Sequence, residues 1–161
     1  MKKKTPSKLV VYTDGSCFTN PGVGGWAFIA TNKKEETILH EATGTVDFTT
    51  NNRMEYIAAI QAIEWAIIEG VNEIHVISDS QLLIKTATLW ISNWKKNGWK
   101  KKKRKKGEIK NLDLVKKIDS LGTLISITWT WVKGHNESKW NLYVDDKAYL
   151  AALDRVKSNG S

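Results

Sequence analysis

The stretch Met54 to Ile68 (MEYIAAIQAIEWAII) and the stretch Glu73 to Ser78 (EIHVIS) decide the fold class of this chain. In the first stretch apolar residues return every three or four positions, which predicts a helix with one wide buried face. Gly70 ends this helix, and the second stretch is a β-branched run that predicts a strand. A helix that leads directly into such a strand indicates a sheet covered by helices.

Three runs with strand character precede this helix, and short connections separate them. They are Lys8 to Thr13, Trp26 to Ala30 and Thr37 to Val46. Short connections join antiparallel neighbours, so these strands are expected to form a meander. Downstream, the sequence predicts a strand at Leu124 to Val132 and helices at Ser80 to about Trp94, Asn111 to Leu121 and Trp140 to Val156. The expected fold is α/β, with a five-stranded mixed sheet (three antiparallel strands, then two parallel-type strands) flanked by helices.

Length and composition indicate a single globular domain over residues 1–161, with flexible tails at residues 1–7 and 156–161. Hydrophobic residues make up 41% of the chain and charged residues 26%, a balance typical of folded proteins. A single cysteine, Cys17, cannot form a disulfide within the chain, which excludes a disulfide-stabilised secreted scaffold. No apolar run approaches the roughly 18 residues that cross a bilayer. We therefore expect a cytoplasmic monomer with no membrane contact and no obligate protein partner.

The net charge of +8 is concentrated in one short segment. Nine basic residues and no acidic residue lie between Lys95 and Lys106, and without them 16 basic residues face 17 acidic ones. This concentration predicts a phosphate-rich partner, because nucleic acid releases counterions when Lys and Arg bind it. A solvated surface loop is the alternative. Trp90, Trp94 and Trp99 lead into the segment, where their rings could stack on bases or sugars, or could pack against a helix face.

Four carboxylates lie at the ends of predicted elements: Asp14, Glu55, Asp79 and Asp145. Each has an ordinary structural explanation when taken alone, as a turn residue, a helix cap or a partner of a helix dipole. Together they would form a cluster of like charges that a cation must neutralise. Hard oxygen ligands favour Mg²⁺ or Mn²⁺ over zinc. Two such ions about 3.5–4 Å apart would suit in-line attack of water on a phosphodiester.

Five short stretches in order along the chain carry a family resemblance. They are Tyr12 to Cys17 (YTDGSC), Thr50 to Glu55 (TNNRME), Ser78 to Gln81 (SDSQ), Trp131 to His135 (WVKGH) and Asn141 to Ala148, which contains Asp145. Together they resemble the ribonuclease H family, and in particular bacterial ribonuclease HI. The segment at about residues 90–110 resembles the basic protrusion of those bacterial enzymes.

The resemblance implies an endonuclease that hydrolyses the RNA strand of RNA/DNA hybrids and leaves 5′-phosphate and 3′-hydroxyl ends. It implies two Mg²⁺ ions, replaceable by Mn²⁺, held by Asp14, Glu55, Asp79 and Asp145, with His135 assisting proton transfer or product departure. The implied RNA-strand contacts are Gly15, Cys17, Asn20, Asn51, Asn52 and Gln81. The implied DNA-strand contacts are Thr50, Trp90, Trp94, Trp99, Lys95, Lys96, Lys100, Lys101 and Asn111. Phosphate contacts do not read bases, so we expect little sequence preference.

Two other functions remain open at this point. One is a non-catalytic module that binds hybrids or other nucleic acid, and the other is a ribonuclease H domain derived from a reverse transcriptase. The presence of all four carboxylates argues against the first. Leu82 stands where many relatives carry an aromatic residue, which predicts a weaker DNA-strand contact there.

Overall fold

The computed structural model describes residues 7–32, 34, 37–100, 109–133 and 139–160, which form a five-stranded mixed sheet with helices. The strands are β1 (Lys8–Cys17), β2 (Gly22–Thr31), β3 (Ile38–Thr49), β4 (Glu73–Ser78) and β5 (Ser126–Trp131). The helices are α1 (Asn51–Ile68), α2 (Gln81–Lys85), α3 (Ile91–Lys96), α4 (Leu112–Leu121) and α5 (Lys139–Asn159), and a π-helical segment (Thr86–Trp90) joins α2 to α3.

The strand order in the sheet is β3-β2-β1-β4-β5. β1, β2 and β3 pair antiparallel, whereas β4 pairs parallel with β1 and β5 pairs parallel with β4. This topology confirms the predicted fold class. Among the described residues, no helix combines the length and the hydropathy that a membrane span requires.

The central strand β1 is buried on both faces, so its side chains alternate between two apolar clusters. Leu9 and Val11 pack with Ile63 of α1 in the larger cluster. Val10 packs with Val144 of α5 in the smaller one. The period of two along β1 therefore places α1 and α5 on opposite faces of the sheet.

Helix α1 begins at Asn51, three residues before the predicted start at Met54. The hydroxyl oxygen of Thr50 accepts a hydrogen bond from the backbone N–H of Arg53 at 3.2 Å and so caps the helix. The apolar period begins only at Met54, so periodicity alone misses the polar first turn. Because Thr50 occupies the cap position, Asn52 and Glu55 do not form a capping box.

Two other boundaries differ from the prediction. Helix α5 continues to Asn159, so residues 156–159 are helical and do not belong to a flexible tail. The helix predicted from Ser80 to about Trp94 contains the π-helical segment, which shifts the register of the residues that follow it. In that segment Thr86 is fully buried, and its hydroxyl lies 2.7 Å from the hydroxyl of Tyr56 on α1.

Helix α5 approaches β2 most closely at Gly25. A Cβ at this position would overlap the carbonyl oxygen of Ala148 and would lie 2.8 Å from the backbone nitrogen of Ala152. Backbone atoms of a long helix cannot move aside as a flexible side chain can. Only glycine therefore allows α5 to pack at this distance.

We expect Gly25→Ala to lower the free energy of unfolding by about 1–3 kcal/mol, because the methyl group forces α5 away from the sheet. Urea unfolding followed by circular dichroism measures the change. Gly160→Ala is the control, since a Cβ there would lie 3.4 Å from its nearest neighbour, the carbonyl oxygen of Val156. Equal stability of the two variants would contradict the close approach.

Candidate active site

Asp14 and Asp79 stand where β1 and β4 separate. The parallel pairing of these strands ends at Tyr12 and Ile77, after which β1 continues alongside β2 only. Both carboxylates lie two residues beyond this last pair: Asp79 directly follows β4, whereas Asp14 is still within β1 and pairs there with Ala27 of β2. In open α/β sheets, ligands bind at such an edge.

Glu55 reaches the same place from helix α1. Its Oε1 accepts a hydrogen bond of 2.6 Å from the backbone N–H of Gly15, the residue after Asp14. A Cβ on Gly15 would lie 2.5 Å from the carbonyl carbon of Met54, so glycine lets α1 lie directly against β1. This contact fixes the position of a carboxylate 40 residues away in the chain.

Two hydrogen bonds fix the backbone at Asp79 and at the following residue, Ser80. The Ser80 side chain caps α2 by accepting from the backbone N–H of Leu83 at 3.1 Å. The indole N–H of Trp131 in β5 donates to the carbonyl oxygen of Asp79 at 3.1 Å. Ser80, and not Asp79, is therefore the helix cap, and the Asp79 carboxylate does not serve as one.

The structure brings the four predicted carboxylates together. One carboxylate oxygen each from Asp14, Glu55 and Asp79 lie within 4.8 Å of one another. Asp145, on α5, is outside this group of three but lies close enough to Asp14 to raise its pKa. Asp145 is half-buried, whereas the neighbouring Asp146 is exposed.

Burial is the largest cause of the raised carboxyl pKa values in this cluster. It raises the pKa of Asp14 well above the usual range, and Glu55, Asp145 and Asp79 raise that pKa further. Burial also raises the pKa of Glu55, although the Gly15 N–H favours its charged form. A proton or a cation that balances these negative charges therefore stabilises the cluster.

The donor set fits a hard divalent cation. Oε2 of Glu55 is buried, and among the described residues no N–H or O–H group donates to it. The three closest ligand atoms are all carboxylate oxygens, and neither sulfur nor imidazole is among them. Such a set suits Mg²⁺ or Mn²⁺ and is unlike the nitrogen and sulfur sets that bind zinc.

Of the predicted RNA-strand residues, Gly15 contacts the acidic cluster directly, through its N–H to Glu55. Asn20, in the β1–β2 connection, accepts from the backbone N–H of Asn51 at 3.2 Å through Oδ1, which joins this connection to the first turn of α1. Cys17 ends β1, with its Sγ 3.4 Å from the carbonyl oxygen of Thr49. Three other residues belong to this set. Gly15 directly follows Asp14, Asn52 lies in the first turn of α1, and Gln81 is the first residue of α2.

A groove of about 460 Å³ lies between α1, α3 and the start of α4. Trp90 and Trp94 line it, with ring centroids 5.8 Å apart. Its other walls are formed by Asn52, Tyr56, Leu82, Asn93, Asn97, Ile109, Lys110 and Asn111. Flat aromatic faces bordered by amide and ammonium groups suit a nucleotide strand.

Not every predicted DNA-strand residue lies in this groove. Trp99 packs against the core instead, with the ammonium of Lys116 5.4 Å from its ring centroid. Lys95 pairs with Asp119 at 3.2 Å, whereas Lys96 and Lys100 are exposed. The predictions for Lys101 and His135 lie outside the described residues.

Several groove residues escaped the sequence analysis. Asn93 and Asn97 lie one helical turn apart, next to the two tryptophans, and this spacing could have identified them. Tyr56 follows Glu55 directly but was absorbed into the apolar pattern of α1. Arg53, which does not line the groove, was not predicted either, because its partners Asn111 and Asp113 are distant in the chain.

Comparisons with known proteins agree with this geometry. A ribonuclease H from Francisella philomiragia is 39% identical over 148 residues, covering 92% of this chain and 93% of the relative. A ribonuclease H from Francisella tularensis subsp. novicida is 38% identical over 154 residues, covering 95% and 96%. Among solved structures, LC9-RNase H1, a type 1 RNase H with the type 2 active-site motif, superposes with a TM-score of 0.79 at 27% identity and covers 95% of this chain and 75% of its own. The N-terminal RNase H domain of a Mycobacterium tuberculosis protein gives 0.75 at 25% identity, covering 94% and 98%.

The fold and the relatives place this protein among the nucleases, which are hydrolases. The family model described as RNase H matches residues 6–152, which is most of the chain. The chain belongs to the ribonuclease H family, as the sequence motifs predicted.

The raised carboxyl pKa values predict how stability depends on pH without metal. The folded cluster holds protons more tightly than the unfolded chain, so the free energy of unfolding falls as pH rises above about 4. Without metal, we expect Asp14→Asn to melt several degrees above wild type at about pH 8, since each kcal/mol of stability shifts the melting temperature by about 2–4 °C. This difference in melting temperature should shrink toward pH 4. Thermal scans in chelator measure it.

The matched control is Asp146→Asn, at the exposed neighbour of Asp145. Its melting temperature should follow wild type at each pH. Magnesium should raise the melting temperature of wild type and of this control, and that of Asp14→Asn much less. An Asp14→Asn variant that is less stable than wild type at high pH would contradict the repulsive cluster.

Proposed function

We propose that this chain is an endoribonuclease that hydrolyses the RNA strand of RNA/DNA hybrids, leaving 5′-phosphate and 3′-hydroxyl ends. The observation that carries the proposal is the carboxylate cluster where β1 and β4 separate, on the same helix α1 that contributes Tyr56 to the aromatic groove. Membership in the ribonuclease H family supports the choice of substrate. A binding module without activity would have no need of repelling buried carboxylates.

In this proposal Asp14, Glu55, Asp79 and Asp145 hold a pair of Mg²⁺ ions, for which Mn²⁺ can substitute. When bound, the ions supply an activated water nucleophile and stabilise the leaving 3′ oxygen. The chain contributes ligand positions that are fixed before the substrate arrives. The N–H of Gly15 orients the Glu55 carboxylate, and the backbone contacts of Asp79 hold it at the end of β4.

The two strands of the hybrid are distinguished by different kinds of contact. RNA presents 2′-hydroxyl groups, which short polar groups and backbone atoms can recognise. In this proposal such groups are supplied by Gly15, Cys17, Asn20, Asn51, Asn52 and Gln81. His135 would assist proton transfer or product departure, since imidazole titrates near neutral pH.

The DNA strand would lie along the groove. Trp90 and Trp94 offer ring faces to its sugars, and Asn111 offers its amide to a phosphate. Thr50, which caps α1 and does not line the groove, would offer its hydroxyl to the same phosphate. The exposed lysines of the protrusion add attraction that is independent of base sequence. Because Trp99 packs on the core, its contribution would be to hold the protrusion in place.

A cleavage assay tests the function directly. With Mg²⁺, wild type should shorten labelled RNA in an RNA/DNA hybrid and should leave RNA/RNA and DNA/DNA duplexes intact. Asp14→Asn should lower the rate by about three orders of magnitude or more, because it removes a metal ligand, yet still bind the hybrid. Tight hybrid binding by wild type without magnesium-dependent shortening would instead identify a binding module. Normal turnover by Asp14→Asn would refute the site.

The salt dependence of hybrid binding tests the protrusion. We expect Lys96→Gln combined with Lys100→Gln to raise KM and to reduce the slope of log affinity against log salt by about 0.9 for each phosphate that the variant no longer neutralises. Lys157→Gln, near the far end of α5, changes charge away from the groove and should keep the wild-type slope. A fall in kcat at saturating hybrid, with the slope unchanged, would contradict this role.

A further inference from the structure

Arg53, in the first turn of α1, connects this helix to the start of α4. Its Nη1 donates to Oδ1 of Asn111 at 3.2 Å and to Oδ1 of Asp113 at 3.0 Å. Its Nη2 donates to Oδ2 of Asp113 at 2.8 Å. A bidentate arginine–carboxylate pair is both strong and directional. The guanidinium therefore joins residues that lie 58 and 60 positions away in the chain.

These contacts also determine how the Asn111 side chain is turned. A guanidinium has donors only, so the amide must present its oxygen to Arg53 and turn its NH₂ group away. Asn111 lies on the wall of the groove. Its backbone has a φ of 58°, in the left-handed region that asparagine tolerates better than most residues. Backbone and side chain thus both hold this amide in one orientation.

The charge of Arg53 is already balanced. Asp113 pairs with the guanidinium through both carboxylate oxygens, which lowers the pKa of Asp113. A guanidinium engaged in this way has little remaining attraction for a phosphate of its own. Its influence on a bound nucleic acid must therefore pass through the residue that it holds.

We propose that Arg53 is a positioning residue for the DNA strand: it holds the Asn111 amide so that the NH₂ group donates to a DNA phosphate at the groove. This inference rests on the proposed hybrid function. It adds a residue that touches neither the substrate nor the carboxylates' metal. The ion pair with Asp113 keeps Arg53 in place while the hybrid binds and leaves.

A double-mutant cycle tests the proposal. Hybrid affinity is measured by fluorescence anisotropy in chelator for wild type, Arg53→Lys, Asn111→Ala and the double variant. Each single variant should bind about 5- to 10-fold more weakly, which is the effect of one hydrogen bond to a charged group. The double variant should bind no more weakly than Asn111→Ala, because both changes remove the same interaction. In the cleavage assay, the effect should appear in KM.

Arg155→Lys is the matched control. Arg155 also forms a bidentate pair, with Asp47, at 2.6 Å and 2.9 Å, and this pair joins α5 to β3 away from the groove. Both arginine-to-lysine changes remove a fork-shaped interaction, so their effects on melting temperature should be similar. Only Arg53→Lys should weaken hybrid binding. Equal hybrid affinity of the two variants would overturn the proposal.

Two other results would also overturn the role of Arg53. Additive effects of Arg53→Lys and Asn111→Ala on hybrid affinity would show that the two residues act independently. The variant that combines Arg53→Gln with Asp113→Asn keeps the net charge unchanged. If its slope of log affinity against log salt falls by about 0.9, Arg53 binds a phosphate directly. Wild type that binds the hybrid without cleaving it contradicts the nuclease function alone. Wild type that does not bind the hybrid contradicts both.

Discussion

The burial of Asp14 beside Glu55 is the constraint on which the rest of the structure depends. Two carboxylates in a poorly hydrated site repel each other, and neither gains enough from its neighbours to offset the loss of water. The fold supplies the missing stability elsewhere, through the two apolar clusters that hold β1 between α1 and α5. The cluster therefore exists because the surrounding framework keeps it together.

Adjacent side chains of helix α1 belong to two different parts of the candidate site, the acidic cluster and the groove. Glu55 faces the acidic cluster, whereas Tyr56 lines the groove and meets the buried hydroxyl of Thr86. Thr50 caps the helix beside both. In the proposed complex with a hybrid, one rigid element would therefore fix the distance between the reacting bond and the path of the opposite strand. A rigid spacer of this kind favours one width of duplex over others.

Residue patterns and short connections predicted the five strands and their mixed pairing. The positions of carboxylates at the ends of predicted elements, together with the family motifs, pointed to Asp14, Glu55 and Asp79, which the structure groups. The α/β topology and the ribonuclease H motifs were confirmed. What periodicity did not predict depends on contacts between distant residues. The hydroxyl pair of Tyr56 and Thr86, the bond between Asn20 and Asn51 and the contact of Arg53 with α4 join residues 30 to 60 positions apart. Likewise, the polar first turn of a helix and a π-helical insertion do not change the apolar repeat, so periodicity does not predict them.

The seam between α5 and β2 links packing to chemistry. Asp145 lies one turn before Ala148, whose carbonyl oxygen faces Gly25. A side chain inserted at that seam would rotate the helix and carry the carboxylate with it. Substitutions there would therefore affect folding and, in the proposed function, catalysis as well. A library selected for thermal resistance and one selected for turnover should diverge at this seam, and compensating changes should arise on α5 itself.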